Sequence, residues 1–278
     1  MTAQGVPSPS AGASSGTAGI DARNAPALQA SWRGLYRTGA WAAVMYVALV
    51  VAPLGLLAAA PVPPSSGAAV LDYIGDHRTV YLAELVCFVG LSIPALVVFA
   101  AWAVAVRHID PGLALLGGLF GVGSEITALA VGSSPQSLNG GLVILSDAYR
   151  SSTGADQRAG LAHAADAVVA TTNAMPWAGV LTAAAILVLS LAMWSGPFPK
   201  ALAAVGIVTG ALGLLAETFR PIIGPLYLVY GLLLPTWFAL IGWRLHLLAP
   251  QETPAPPPMV RTVGEVAAVD TTNAPPVQ

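Results

Sequence analysis

Long apolar stretches are the feature that most constrains this chain. Each is close to or above the ~20 residues that an α-helix needs to cross ~30 Å of hydrocarbon. Backbone polar groups in lipid must pair within their own segment, which a helix does and a lone strand cannot. The sequence therefore predicts an all-α fold, a polytopic membrane bundle with six transmembrane helices. They are expected near Tyr36–Ala60, Val80–Val106, Leu113–Val131, Val168–Trp194, Ala201–Phe219 and Ile222–Trp243.

Composition supports this fold class and excludes others. Hydrophobic residues make up 56% of the 278 residues, charged residues only 9%, and the mean hydropathy is +0.73, whereas soluble domains carry about a quarter charged residues. The net charge of −2 gives no indication of a nucleic-acid partner. A single cysteine, Cys87, excludes an internal disulfide and a cysteine-based metal site. The expected partner is the lipid bilayer, and the oligomeric state stays open.

The two ends of the chain differ from its middle. Residues 1–32 are rich in Ser, Gly, Ala and Pro, and residues 249–278 are rich in Pro. Neither end has the apolar periodicity that would offset the entropy of ordering it, so both are predicted to be disordered tails. The membrane domain is then expected to be residues 33–248. Its first apolar segment exceeds the 7–15 residues of a signal peptide's apolar region, so it is interpreted as an uncleaved helix.

Basic residues near the segment ends predict the orientation. With the N-terminus inside, five basic residues outside the tails lie on the cytoplasmic face and four on the other. Arg33 and Arg37 precede the first helix, which usually dominates. We therefore expect both termini in the cytoplasm. One lysine against ten arginines, with abundant Ala, Gly and Pro, is typical of a GC-rich bacterial genome, so the expected location is a bacterial plasma membrane.

Two loops are expected outside in this orientation, at 61–79 and 133–167. Within the longer one, the run LVILSDAY predicts a short interfacial helix. The following run, ADQRAGLAHAADAVVATTNAM, predicts an outward extension of the fourth membrane helix. The aromatic residues Trp41, Trp102, Trp177, Trp194, Trp237, Trp243, Tyr36, Tyr46, Tyr81, Tyr227 and Tyr230 mostly stand near segment ends and are interpreted as interface anchors.

Glutamates continue two glycine stripes in the apolar segments. In the third segment, Gly117, Gly121 and Glu125 are spaced i, i+4, i+8 and share one helix face. Small residues on one face allow helices to approach closely in lipid, so this face is predicted to point into the bundle. The fifth segment repeats the pattern with Gly206, Gly210, Gly213 and Glu217.

Other polar residues are expected in the same outer layer as Glu125 and Glu217. Glu84 stands near the start of the second helix, and Arg220 follows Glu217 by one turn. The fourth helix adds a polar stripe of His163, Asp166 and Asn173. We take these seven residues as candidates for binding a small molecule, an ion or a lipid.

Two interpretations of this layer stay open. Ionisable groups inside membranes are costly and often mark ion, proton or substrate paths, which favours binding or transport. Alternatively the groups are structural, with Glu217 and Arg220 paired and the other acids paired or protonated, in an accessory membrane protein without a ligand cavity. An intramembrane enzyme is less favoured because no nucleophile–base pair or metal-ligand cluster is visible. No catalytic residue, metal or cofactor is predicted.

Two stretches resemble a known family. They are YLAELVCFVGLSIPALVVFAAWAVAVRHIDPGLALLGGLFGVGSEI, in the region of helices two and three, and SGPFPKALAAVGIVTGALGLL, around the turn between helices four and five. The second carries the prolines Pro197 and Pro199 before a glycine-containing helix. Both are similar to the bacterial domain-of-unknown-function family numbered 4386, whose members are multi-helix integral membrane proteins. The resemblance implies a six-helix domain over about 33–248 and lends no catalytic residue.

Overall fold

The computed structural model describes residues 32–131, 138–174, 177–220, 222 and 224–249. All regular structure in these ranges is helical, and the helices are numbered here in chain order: α1 (Arg33–Leu56), α2 (Gly67–Asp76), α3 (Arg78–Gly90), α4 (Ser92–Val106), α5 (Pro111–Val131), α6 (Gly140–Ser151), α7 (Ala155–Ala174), α8 (Trp177–Trp194), α9 (Lys200–Thr218) and α10 (Gly224–Leu248). The predicted tails lie outside the described residues except for Trp32 and Ala249.

The predicted all-α, six-span architecture is confirmed. By length and composition, six helical stretches within the described residues can cross a membrane: Arg33–Leu56, Arg78–Val106, Pro111–Ala130, Ala155–Trp194, Lys200–Thr218 and Tyr227–Leu248. These stretches indicate a multi-pass membrane protein in contact with lipid. The fourth takes in both α7 and α8, in agreement with the predicted outward extension, although residues 175–176 lie outside the described part.

The second span has a weak point at a proline. α3 ends at Gly90 and α4 begins at Ser92, but Leu91 between them keeps a helical backbone, and its N–H donates to the carbonyl of Cys87 at 3.1 Å. Pro94 lacks the N–H that would donate to the carbonyl of Gly90 four residues earlier, which weakens the helix at this point. The weakened point lies beside the polar cavity described below.

The long helices form a closed ring. α4 packs against α1 and α5, α8 packs against α5 and α9, and α10 packs against α9 and α1. α4 also contacts α8 and α10 across the middle of the ring. Large apolar side chains fill this middle, including Trp102, Phe99, Trp237 and Phe238, all fully buried.

The outer surface of the ring is apolar as well. Leucines on different helices are widely exposed, for example Leu54 (65%), Leu119 (60%) and Leu232 (73%). A water-soluble protein rarely leaves so much contiguous apolar surface uncovered. Lipid chains are the solvent that such a surface fits, in keeping with the six spans.

Glycines allow the close helix contacts. A Cβ at Gly210 would lie 2.6 Å from the backbone nitrogen of Leu187 and 2.8 Å from the carbonyl oxygen of Ala183, both on α8. A Cβ at Gly121 would overlap the ring of Phe99 on α4. The other members of the two stripes are equally tight, against Leu189 at Gly117, Ser190 at Gly206 and Tyr230 at Gly213.

Three helices form a small cap beside the ring. α2, α6 and α7 pack on one another around a second apolar core that includes Leu71, Ile74 and Leu142. The Ser146 hydroxyl donates to the carbonyl of Leu71 at 2.6 Å, which joins α6 to α2. Of two exposed ion pairs, Arg150–Asp76 also joins α6 to α2, and Arg78–Asp147 joins α3 to α6.

The cap contains one predicted helix and one that was not predicted. The run LVILSDAY lies in α6, so a helix there is confirmed, and the side chain of Asn139 caps it by accepting from the N–H of Gly141 at 2.8 Å. α2 was expected to be loop. It forms because Val70, Leu71 and Ile74 share a face that α6 and α7 cover. The sequence of this segment alone does not show which helices will cover that face.

Candidate functional site

A polar cavity of about 110 Å³ lies among the six spans. Every span contributes to its walls, through the lining residues Tyr46, Phe88, Leu91, Ser92, Glu125, Ala128, Ala178, Gly179, Thr182, Glu217, Arg220, Tyr227, Tyr230 and Leu234. Three of the predicted candidates, Glu125, Glu217 and Arg220, are brought together here. We call it the Glu125 cavity.

Glu125 is held among hydroxyl groups. Its side chain is buried, with 5% exposure, and the hydroxyls of Ser124 and Thr182 lie 3.4 and 3.5 Å from its Oε1 atom. Ser92 is a third hydroxyl that hydrogen-bonds to this carboxyl. Within the described ranges Glu125 has no ion-pair partner, although Arg220 lines the same cavity.

The hydroxyls of Ser124 and Thr182 also donate to backbone carbonyls of their own helices. Ser124 donates to the carbonyl of Gly121 at 2.7 Å, and Thr182 donates to that of Ala178 at 3.0 Å. Both bonds are shorter than those to Glu125, and a hydroxyl has only one proton to donate. The oxygen of each hydroxyl also has lone pairs, which can accept from a protonated Glu125 carboxyl or, together with the carboxylate, coordinate a cation.

Glu217 has a partner of its own. Its Oε2 atom lies 3.7 Å from Nε of Arg220, one turn later in the chain, and both side chains are mostly buried. Arg220 also donates to the Tyr227 hydroxyl and lies over that ring, 4.6 Å from its centroid. The pair that the structural interpretation predicted is thus present, and Glu125 is the carboxyl of this cavity without an ion-pair partner among the described residues.

Gly179 makes room for the Glu217 carboxylate. A Cβ at this position of α8 would lie 2.5 Å from Oε1 and 2.7 Å from Oε2 of Glu217. Sequence reasoning missed Gly179 because it is a single glycine outside any stripe. Its role depends on the packing of α8 against α9.

Tyrosines form another part of the wall that sequence reasoning missed. Tyr46 and Tyr230 are buried, with 3% and 2% exposure, and Tyr46 stacks on Phe238 with ring centroids 3.8 Å apart. Their interpretation as interface anchors is wrong, as it is for the fully buried Tyr81, Trp102 and Trp237. Each of these residues lies on the inner face of its helix. The anchor interpretation used only the position along the segment, which does not show which face a residue occupies. Trp41, Trp177, Trp194 and Trp243 are exposed, as anchors would be.

Glu84 lies outside the Glu125 cavity. It is buried, with 4% exposure, and it lines a neighbouring cavity with Leu57, Val62 and other apolar residues. Phe88, one turn after Glu84 on α3, contributes to the walls of both cavities. The predicted outer layer is therefore divided, with Phe88 between its two parts.

The remaining candidates lie in or near the cap. Asp166 accepts a hydrogen bond of 2.5 Å from the backbone N–H of Gly67, at the start of α2. Its carboxylate therefore caps the N-terminus of α2. His163 is exposed on the same helix, α7. The side chain of Asn173 lies outside the described residues. Neither His163 nor Asp166 lines the Glu125 cavity.

The part of the chain that the structure describes contains no group of three or more His, Cys, Asp or Glu side chains able to hold a metal ion. Comparison with protein-family models, with curated proteins and with solved structures gives no match to this chain. The resemblance to the family numbered 4386 stays a prediction. The argument for function therefore rests on the cavity.

Proposed function

We propose that this multi-pass membrane protein binds a small monovalent cation, a proton or a sodium ion, in the Glu125 cavity. The observation that carries the proposal is Glu125 itself, a buried carboxyl on the cavity wall with hydroxyls beside it. Burying such a group without a fixed countercharge is costly, and membrane proteins that do so often use it on an ion or proton path.

The size and lining of the cavity favour a small cation. At ~30 Å³ per water molecule, about 110 Å³ has room for roughly four waters and excludes large organic solutes. Carboxylate and hydroxyl oxygens are ligands for hard cations, and Glu125, Ser92 and Thr182 supply them. Arg220 does not oppose a cation strongly, because Glu217 offsets its charge.

A transport role extends the proposal. Leu91 and Ser92, at the point of the second span that Pro94 weakens, both line the cavity. Pro94 removes one helical hydrogen bond here, and a helix weakened in this way bends more readily than an intact one. With both termini in a bacterial cytoplasm, as the arginines before α1 favour, the cavity lies towards the outer face.

A structural role is the alternative that a specific observation favours. Glu217, Arg220 and Tyr227 form a bonded cluster that joins the end of α9 to α10. In an accessory protein this cluster would stabilise the bundle, and Glu125 would stay protonated between about pH 5 and about pH 8 as a hydrogen-bond donor without a ligand, so its protonation would not change over that range.

Thermal unfolding of the purified protein in detergent separates the two functions. At about pH 8, sodium chloride in place of choline chloride at matched ionic strength should raise the unfolding midpoint, because a ligand that binds only the folded state stabilises it. If the ligand is a proton, the rise should instead appear on lowering the pH to about 5. Glu125→Gln should abolish whichever response the wild type shows.

Glu84→Gln is the matched control for the sodium response. It removes a carboxyl of similar burial from the neighbouring cavity, so that response should persist. Absence of both responses in the wild type, or an equal response in Glu125→Gln, would reject cation binding and support the structural role.

A further inference from the structure

A second cavity, of about 190 Å³, adjoins the C-terminal end of α1 and the second half of α3. It is lined by Pro53, Leu54, Leu57, Val62, Pro63, Glu84, Phe88 and Leu138. Glu84 has the one polar side chain in this list, so we call this cavity the Glu84 cavity. Its chemistry differs from that of the Glu125 cavity, where hydroxyls, phenols and a guanidinium share the walls.

Glu84 is unsatisfied in this setting. The side chain is 4% exposed, and its Oε2 atom has no hydrogen-bond partner in the part of the chain that the structure describes. Arg78 and Arg150 are paired with Asp147 and Asp76 instead. A buried carboxyl oxygen without a hydrogen-bond partner costs free energy. A ligand that donates a hydrogen bond to it removes this cost, which favours binding of the ligand.

The surroundings define what such a group must be. A charged N–H donor satisfies a carboxylate best, since charge-assisted hydrogen bonds are about twice as strong as neutral ones. The remaining walls are apolar, so the rest of the ligand must be apolar too. A fully hydrated ion has no apolar body to pack against these walls, and a neutral hydrocarbon has no charged N–H donor for Glu84.

The volume sets the size of the apolar part. An apolar cavity of ~150 Å³ holds one benzene molecule. A cavity of about 190 Å³ therefore has room for one ring and a short arm that ends in an ammonium group.

We propose that the Glu84 cavity binds a small apolar primary amine in its protonated form. The ammonium donates to Oε2 of Glu84, and the apolar body packs against Leu57, Val62 and Phe88. This site is independent of cation binding at Glu125. Its ligand class is that of arylalkyl or alkyl amines, and 4-fluorobenzylamine is a suitable probe.

Ligand-observed fluorine NMR measures this binding in the detergent-solubilised full chain, with empty micelles as the baseline for partitioning. The amine should bind the wild type saturably, and unlabelled benzylamine should displace it. Glu84→Gln, which keeps the shape of the side chain and removes its charge, should weaken binding at least about tenfold, equivalent to one decade in Kd. The uncharged analogue 4-fluorobenzyl alcohol should bind the wild type no better than it binds Glu84→Gln.

Two further variants keep the test decisive. Asp72→Asn removes an exposed carboxylate from the cap and should bind the amine as the wild type does. Leu57→Trp adds bulk to the cavity wall while keeping Glu84, and should also weaken amine binding. It provides the test if Glu84→Gln fails to fold.

The proposal is overturned if amine binding is not saturable, which would leave water as the occupant. Equal amine binding in wild type and Glu84→Gln, or unimpaired binding in Leu57→Trp, would overturn it as well. Loss of the sodium or proton response at Glu125 would leave it untouched.

Discussion

Glu125 and Glu217 are equally buried, at 5% exposure each, yet their neighbours differ in kind. Glu217 lies beside a guanidinium, whereas Glu125 lies beside hydroxyls whose shorter bonds go to helix carbonyls. A carboxyl beside a fixed countercharge is part of the scaffold. The proposed exchange of a proton or an ion therefore falls to Glu125, which has no ion-pair partner among the described residues.

Replacing each glutamate by glutamine should separate these roles. Glu217→Gln leaves Arg220 without its anion, and breaking a buried pair costs on the order of 3–5 kcal/mol. We expect the lower end of that range, because Arg220 keeps 15% exposure and its bond to Tyr227. Glu125→Gln should change stability little in choline chloride at about pH 8, because glutamine keeps the shape and no ion pair is broken.

The measurement for this pair is denaturation of the two variants and the wild type in one detergent. A double-mutant cycle with Arg220→Gln should show coupling to Glu217 and none to Glu125. A large loss of stability in Glu125→Gln would mean that Glu125 is itself the structural half of an ion pair.

At the scale of elements, backbone contact between α8 and α9 sets the geometry around the cavity. Gly210 faces the backbone nitrogen of Leu187 and the carbonyl of Ala183, which cannot rotate away as a side chain can. Gly179 on α8 and Glu217 on α9 meet further along the same contact. The separation of these two helices therefore decides where the Glu217 carboxylate lies.

Gly210→Ala should destabilise the protein although alanine favours helix formation. Overpacking of this kind typically costs about 1–3 kcal/mol, and here two backbones must separate. Gly231→Ala is the matched control, because a Cβ at Gly231 on α10 meets nothing within 4 Å, so it should be neutral or slightly stabilising. The thermal midpoints of the two variants give the comparison, and equal midpoints would show that α8 and α9 are not in backbone contact.

The cap should respond to acid through its exposed ion pairs. Hydrogen bonding from Arg78 holds the pKa of the Asp147 carboxyl below its usual range. A lowered folded-state pKa contributes stability above the ordinary aspartate pKa of ~3.9, and that contribution is lost as the pH falls further through the folded-state value. Both side chains are half-exposed, so the effect is small.

Hydrogen exchange of α6 measures this effect within the intact protein. Protection of α6 amides should fall between about pH 5 and about pH 3 more in the wild type than in Asp147→Asn, which lacks the titrating group. Asp72→Asn serves as the control, because Asp72 is exposed and outside the ion pairs. An identical acid response in Asp147→Asn would show that the pair contributes nothing to the cap.

For the molecule as a whole, the orientation across the membrane decides which side each cavity faces. Cysteines placed at Ser65 and Ser151, in a Cys87→Ala background, should react with an impermeant thiol reagent in intact cells. A cysteine at Ser195 should react only after permeabilisation. All three positions are exposed, so access to the reagent depends on the side of the membrane and not on burial. The opposite labelling pattern would reverse the proposed orientation.

The fold class could be predicted from the sequence because it depends on local properties. A segment of about twenty apolar residues must form a helix in lipid whatever its neighbours are, so the six spans were readable in advance. The glycine stripes also showed which way Glu125 and Glu217 point, since a stripe is a property of one helix. α2 was missed because it is stabilised by contacts with α6 and α7, which lie far along the chain.

The sequence by itself determined a helical membrane bundle with acidic groups turned inwards. Tertiary structure alone decided which of those groups meet. It paired Glu217 with Arg220, set Glu125 among the hydroxyls of Ser92, Ser124 and Thr182, and placed Glu84 in a separate apolar cavity. The physical reason is that apolar spans of similar composition can be arranged around one another in many orders. Helix periodicity fixes which face a residue occupies, but only the packed contacts fix which neighbour that face meets.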